Sequence, residues 1–336
     1  MRRIGAFALL LLFCLFICPR GGYAQSLASA PDTAGPILHI SSDLVLVDVE
    51  ALGVDGHPVT ALKKDDFQIL DNNQHVSIRT FDAGAAARPL ALWFVVQCNM
   101  KGWEAQGSGL FMGQTGRFQP ALEDLDKRDK VAVAHWCDDG QAEVDLSPTG
   151  SIDQAAPSLE RALAPRANTA SHDRSGELAL QKVLQLIVDT TRSMPSGLVP
   201  VIVFLYGDYS AMPKSEANHF IGELLSTSAV AFGLRDRRSP RYFAFWPSAE
   251  QGSIANYIAA QTGGEYFWVE PETYAAGLQN ILEQLHARYA LGFKPSALDG
   301  KRHKLQVRLT NHSDTSNPGV RLRYRAAYVS VPHPGS

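Results

Sequence analysis

The chain has 336 residues, 45% of them hydrophobic and 19% charged, with a formal net charge of −3. This balance excludes a disordered or fibrous chain, and the slight acidic excess argues against a nucleic-acid footprint, which needs clustered base. Four cysteines cannot scaffold a chain of this length, so a hydrophobic core must hold it, and the length suits about two domains.

Residues 1–24 read as an address. Arg2 and Arg3 precede residues 4–18, apolar except for Gly5, and Gly22 and Ala24 supply the small residues at −3 and −1 of a cleavage site. A basic start, a short apolar core and small residues before the cut describe a secretory signal peptide. The apolar run is about 15 residues, short of the roughly 20 that a membrane span needs. Ile17 is too bulky beside Cys18 for the usual bacterial lipoprotein signal. No later segment could span a bilayer, so the expectation is an exported protein, periplasmic or secreted. Cleavage would remove Arg2, Arg3 and Arg20 with no acid, leaving the remainder more acidic. It would also remove Cys14 and Cys18, leaving Cys98 and Cys137 as a pair in an oxidising compartment.

Residues 25–37, rich in Ser, Ala, Pro and Gly, read as a flexible leader. Residues 38–86 read as an N-terminal β module, with strands at 44–49, 66–70 and 75–81 and turns at Asp55-Gly56 and 71–74. From 87 to 270 the grammar is that of an α/β domain. Continuous apolar runs at 90–96, 131–136, 199–205 and 229–234 mark strands covered on both faces. Helices are predicted at 151–163, 174–192, 217–225 and 254–260; in the second, Leu180, Val183, Leu184 and Ile187 share one face. Alternation of strand and helix predicts a doubly wound, mainly parallel sheet, and the alternating 141–146 an antiparallel edge strand. Residues 271–336 comprise a linking helix at about 272–288 and a C-terminal β module with strands at 289–293, 304–309 and 320–328. Neither terminal β piece is large enough to close a core alone, so the two are expected to form one β-sandwich with the α/β domain inserted in it.

Several motifs occur in a distinctive order: Leu-Val-Leu-Val-Asp-Val at 44–49, Asp55-Gly56-His57-Pro58-Val59, the segment 62–67, Thr262-Gly263-Gly264-Glu265-Tyr266-Phe267 and Arg288-Tyr289-Ala290-Leu291-Gly292-Phe293. In that order and spacing the chain resembles the acidobacterial VWFA-related family, secreted bacterial proteins built around a von Willebrand factor type A domain. The resemblance covers nearly all of the chain after the signal peptide. It implies a six-stranded, mainly parallel sheet with helices on both faces and a ligand site beyond the carboxyl ends of its strands. Many type A domains hold a divalent metal there through an Asp-x-Ser-x-Ser motif, a Thr from a second loop and an Asp after a later strand. Hard cations want such oxygen ligands.

This chain departs from that pattern at the decisive place. The run 90–96 leads into Gln97-Cys98-Asn99-Met100-Lys101, so the three motif positions carry Gln97, Asn99 and Lys101. Two amides offer neutral oxygens, and a charged Lys offers no lone pair. Held about 4 Å from a dication, Lys101 would cost roughly 8 kcal/mol at an effective dielectric near 20. Thr169 still matches the second-loop Thr, and Asp208 is an acid displaced by one residue from the family position. The expectation is a degenerate site that binds no metal and needs no cofactor, its loops still converging on a partner-binding pocket. Lys101 either stands in for the metal's charge or is a solvated lysine.

Other candidates carry weaker signals. In the expected sheet order, Cys98 and Cys137 end neighbouring parallel strands, which brings their α-carbons within reach of a disulfide; otherwise they are two buried thiols. His135 and His172 lie near acids and would serve a hydrolase, yet no Gly-x-Ser-x-Gly, His-Glu-x-x-His or phosphate-loop motif accompanies them. Segment 241–247 (Arg-Tyr-Phe-Ala-Phe-Trp-Pro) is rich in residue types favoured at binding hot spots. Its Tyr242 and Trp246 are candidate contacts, unless the rings cover the domain's own core. The sequence therefore predicts a noncatalytic, exported protein-binding module. The alternatives are an exported hydrolase using His135 or His172 and a self-associating envelope protein.

Overall fold

A computed structural model describes residues 44–84, 88–98, 119–123, 125–137, 139–163, 175–194, 197–206, 214–236, 254–270, 273–310 and 315–330. All of these belong to Ser42–Ser336, the second of two units into which the chain divides, the first being Met1–Ser41. The expected signal peptide and leader, with Asn99, Lys101, Thr169, His172, Asp208, Tyr242 and Trp246, lie outside the described residues.

The N-terminal strands are β1 (Val45–Leu52), β2 (Phe67–Asp71), β3 (Gln74–Val76) and β4 (Ile78–Ala83). In the middle of the chain come β5 (Leu90–Gln97), β6 (Lys130–Trp136), β7 (Ala142–Thr149), β8 (Val199–Tyr206), β9 (Val230–Asp236) and β10 (Tyr266–Val269). The last four strands are β11 (Tyr289–Phe293), β12 (Arg302–Leu309), β13 (Arg321–Arg323) and β14 (Ala327–Val329). The described helices are α1 (Gln119–Glu123), α2 (Ile152–Leu163), α3 (Ser175–Ser193), α4 (Lys214–Ser226), α5 (Ile254–Thr262) and α6 (Tyr274–His286).

The central strands form one sheet ordered β10-β9-β8-β5-β6-β7, parallel except for the antiparallel edge strand β7. Every residue of β5 and β8 is buried, because helices cover both faces. Leu90, Leu92, Phe94 and Val96 meet α1, α2 and α6 on one face; Trp93 and Val95 meet α3, α4 and α5 on the other. The expected face of α3 is the buried one: Leu180, Val183, Leu184 and Ile187 all pack inward. Period 3.6 on the helices and unbroken apolarity on the strands are thus two sides of one contact.

The terminal strands build two further sheets, β13-β1-β11-β4 and β14-β12-β2-β3, each interleaving strands from both ends of the chain. They share one core, in which Val47, Val49, Phe67 and Ile69 pack against Tyr289, Leu291, Leu305, Val307 and Tyr328. Tyr289 is its pin. The ring packs against Phe67 and Phe81, and its hydroxyl donates to Val59 O at 2.6 Å and accepts from Leu62 N at 3.1 Å.

Two expected strands prove to be pairs. Residues 75–81 divide at Ser77 into β3 and β4, which belong to different sheets. The turn before β3 closes on Asn72 and Asn73 alone, both at positive φ (48° and 67°), the conformation of a tight two-residue hairpin. Residues 320–328 divide likewise into β13 and β14. Between these, Arg325 leaves the sandwich to donate to Leu225 O and Ser228 Oγ at the end of α4, and to Leu46 O of β1. Gly263 makes room for this crossing and Gly264 for the backbone of β9. A Cβ on Gly263 (φ +86°) would lie 2.5 Å from Arg325 N, and one on Gly264 would lie 1.8 Å from Ala231 O.

The other face of β1 carries acids, and these meet arginines. Asp48 receives both hydrogen bonds of Arg88 at 2.7 Å. Arg323 bridges Glu50, at 3.0 Å, and Glu265. Glu50 is 1% exposed, and burial raises its pKa against the opposing pull of Arg288 and Arg323. Arg323, through Glu50 and Glu265, therefore adds a charged tie between the sandwich and the residue before β10, beside the apolar contact of Ala327 with the helices.

Candidate functional site

The strand order places β5 and β8 side by side at the centre of the sheet. The segment after β5 reaches α1 on one face, whereas that after β8 reaches α4 on the other. In doubly wound sheets the carboxyl ends of adjacent parallel strands whose continuations part in this way are the usual ligand position.

Gln97 is the last residue of β5 and is 3% exposed. Cys98 follows it, held by a backbone bond from its N to Trp136 O at 2.9 Å. A disulfide joins Cys98 to Cys137, with Cα atoms 5.0 Å apart. It ties the ends of β5 and β6 together at the carboxyl end of the sheet. Asn99, Lys101, Thr169 and Asp208, the other degenerate-site positions, lie outside the described residues, as do the aromatic candidates Tyr242 and Trp246. At the same end of β8, Tyr206 is 1% exposed and its hydroxyl donates to Asn256 Oδ1 of α5. On β9 the Arg235 guanidinium lies 4.5 Å from the Trp268 ring centroid of β10. Neither contact was readable from the sequence, since each joins residues brought together only by sheet order.

The donor set can be tested against the metal of the type A pattern. At the first ligand position the described chain offers a buried neutral amide in place of a carboxylate. Among the described residues no group of three or more His, Cys, Asp or Glu is disposed to hold a metal. A hard dication prefers charged oxygen ligands to a single neutral amide.

His135 has its own partner. Its Nδ1 lies 2.7 Å from Asp145 Oδ2 of β7, and its ring is 2% exposed. Among the described residues this is the imidazole's one hydrogen bond. A closed His–Asp pair between two sheet strands locks β7 to β6, and its burial keeps substrate away. His172, the second candidate, is outside the described residues.

A larger polar cluster, which sequence reasoning missed, lies inside the sandwich. His303 Nδ1 is 3.0 Å from Asp71 Oδ1 and its Nε2 is 3.0 Å from Asp299 Oδ1. Ser330 Oγ donates to Asp299 Oδ1 at 2.9 Å and sits 3.4 Å from His303 Nε2. Serine, imidazole and carboxylate thus meet, but not as a catalytic triad. Burial works to lower the His303 pKa, yet hydrogen bonds to Asp299 and Asp71 outweigh it and raise it. An imidazolium clamped between two carboxylates has no lone pair with which to deprotonate Ser330, which is itself 1% exposed. The cluster is a strut. The sequence signal was faint: an Asp before a turn and a His in a strand, over two hundred residues apart.

No protein-family model and no curated protein matches the chain. Among solved structures it is similar to a von Willebrand factor type A protein from Catenulispora acidiphila, 11% identical over 82% of this chain and 76% of that one, TM-score 0.43. It is similar also to the conserved hypothetical protein BatB from Bacteroides thetaiotaomicron, 16% identical over 58% of this chain and 98% of that one, TM-score 0.40. A third is the vWF domain of the type V pili tip protein Mfa5 from Porphyromonas gingivalis, 11% identical over 59% of this chain and 95% of that one, TM-score 0.38.

Proposed function

We propose that the protein is an exported, noncatalytic binding module that recognises another protein through the loops above β5, β6 and β8, without a metal ion. The observation that carries this reading is the Cys98–Cys137 disulfide, which braces the carboxyl ends of β5 and β6 where doubly wound sheets place their ligands. Braced strand ends hold loops in place for a partner and lower the ordering cost of association. Metal independence rests on Gln97, Asn99 and Lys101, which stand in place of the carboxylate and two hydroxyl ligands of the type A motif. Export rests on the sequence pattern of 1–24, and the finer kinship, with the acidobacterial VWFA-related proteins, on the motif order. No helix among the described residues is long and apolar enough to cross a membrane. The buried state of His135, and the clamped state of His303, support a noncatalytic reading.

Two measurements test it. Calorimetric titration of residues 25–336 with Mg²⁺, Mn²⁺ and Ca²⁺ should give no saturable heat; one-site binding would restore a metal-bridged mechanism. Photo-crosslinking residues placed at Asn99 and Asp208 should capture the same exported protein, whereas one at His75 on the sandwich should not. Equal capture from all three positions would refute a loop-directed interaction.

A further inference from the structure

The outward face of the sheet β14-β12-β2-β3 has a charge pattern unlike the rest of the molecule. β12 alternates strictly: His303, Leu305 and Val307 are buried, while Arg302, Lys304 and Arg308 are exposed. The three cations therefore project from one side of one strand. Alternate residues on a strand are about 7 Å apart, so the row extends over roughly 20 Å. Some arginines elsewhere meet acids, Arg88 with Asp48, Arg192 with Glu223 and Arg323 with Glu50 and Glu265, whereas the row meets only neutral groups among the described residues. Arg302 donates to the Gln261 amide at 3.2 Å and Arg308 to the Gln306 amide at 2.9 Å, and among the described residues none of the three meets a carboxylate.

The neighbouring strands add no acid. Register places Leu70 beside Gln306, Gln68 beside Arg308, and His75 beside Leu70 on this same face. Asp71, the acid of β2, points inward to His303. In a chain of formal net charge −3, three neighbouring cations without counter-charge form a local positive stripe.

We propose that this stripe is a docking surface for a linear acidic polysaccharide. Charge complementarity gives the sign, and the straight row suits a chain with a carboxylate on successive sugars. Gln68, Gln306 and His75 flank the row with groups that hydrogen-bond hydroxyls. A single-stranded nucleic acid would call for aromatic rings on the sheet face, and the described outward residues of β2, β3 and β12 include none. A bilayer would call for exposed apolar tips beside the cations. Among the described residues the large exposed hydrophobics are Leu46, Val54 and Leu178, none of which belongs to these strands. The surface is separate from the carboxyl end of β5, so its test stands apart from that of the loops.

The experiment is affinity electrophoresis of residues 25–336 through polygalacturonate at a series of salt concentrations. Neutralising three carboxylates releases counterions, so log K should fall with log salt, with a slope shallower than the roughly −2 that three phosphates of a single-stranded nucleic acid would give. The triple change Arg302→Ser, Lys304→Ser, Arg308→Ser should weaken binding at least tenfold and flatten that slope. The double reversal Lys304→Glu, Arg308→Glu should abolish binding, and the exposed Arg321→Ser on the other sheet should leave it unchanged. All these positions are on the surface, so thermal unfolding should stay within a few degrees of the parent. The proposal is overturned if polygalacturonate is not retained, or if the triple change leaves retention intact. It is equally overturned if phosphatidylglycerol vesicles or a single-stranded oligonucleotide bind as tightly through the same three residues.

Discussion

Breaking the Cys98–Cys137 disulfide should destabilise the fold by a computable amount. The bond closes a loop with a sequence separation of 39. On the chain-entropy relation a loop of that length restrains the unfolded chain by about 4 kcal/mol at 25 °C. Both cysteines are buried, at 1% and 0% exposure, and their backbones already lie in neighbouring paired strands. Replacing both by Ala therefore adds only a small cavity, and most of the change comes from the unfolded state. For a unit of this size each kcal/mol corresponds to roughly 2–4 °C, so Tm should fall by about 8–15 °C. Differential scanning calorimetry of the parent, the Cys98→Ala/Cys137→Ala variant and the parent with reductant measures it, alongside thiol titration of denatured, unreduced protein. Two reactive thiols, or a variant that melts with the parent, would refute the reasoning.

Other expectations follow from the buried charges and the glycines. His303 has its pKa raised, so its contribution is full below its unfolded value near 6.5 and is lost as pH rises through the folded value. Asp299 is held below its usual range, chiefly by the hydrogen bond from His303. Its contribution is present above about 3.9 and disappears as pH falls through the lower folded value. Tm should consequently decline on the alkaline side of neutrality, and His303→Gln should remove that decline while lowering Tm at pH 6; an unchanged profile would contradict the clamp. Arg323→Ala strands the buried Glu50 and should cost about 3–5 kcal/mol in chemical denaturation, with partial recovery on adding Glu50→Gln. Gly264→Ala forces a methyl carbon onto Ala231 O and should cost on the order of 4 kcal/mol or more. Gly56→Ala, with φ of +81° but nothing within 4 Å, should cost only about 1–2 kcal/mol.

The motifs that carried the family resemblance have structural roles in the fold. Tyr289 pins the sandwich core, Gly263 admits the crossing of Arg325, Gly264 the close approach of β9, and the Asp55-Gly56-His57 turn closes on Gly53 through a 2.9 Å bond from Gly53 N to His57 O. Such residues are demanded by backbone approach and packing whatever the loops bind.

The sequence by itself determined the element types, because periodicity reports locally on what each face touches: unbroken apolarity in β5 and β8, period 3.6 in α3, alternation in β1 and β12. It also indicated that neither end could close a core alone. What only the tertiary structure decided was pairing across long separations. The clamp of Asp71 and Asp299 on His303, the bridge from Arg323 to Glu50 and Glu265, and the splitting of 75–81 and 320–328 between two sheets all join residues that share no local pattern. A strand shows which of its faces is buried, but the identity of the group lying against that face is set by sheet order and register. The polar contacts that lock this fold were for that reason the last to become visible.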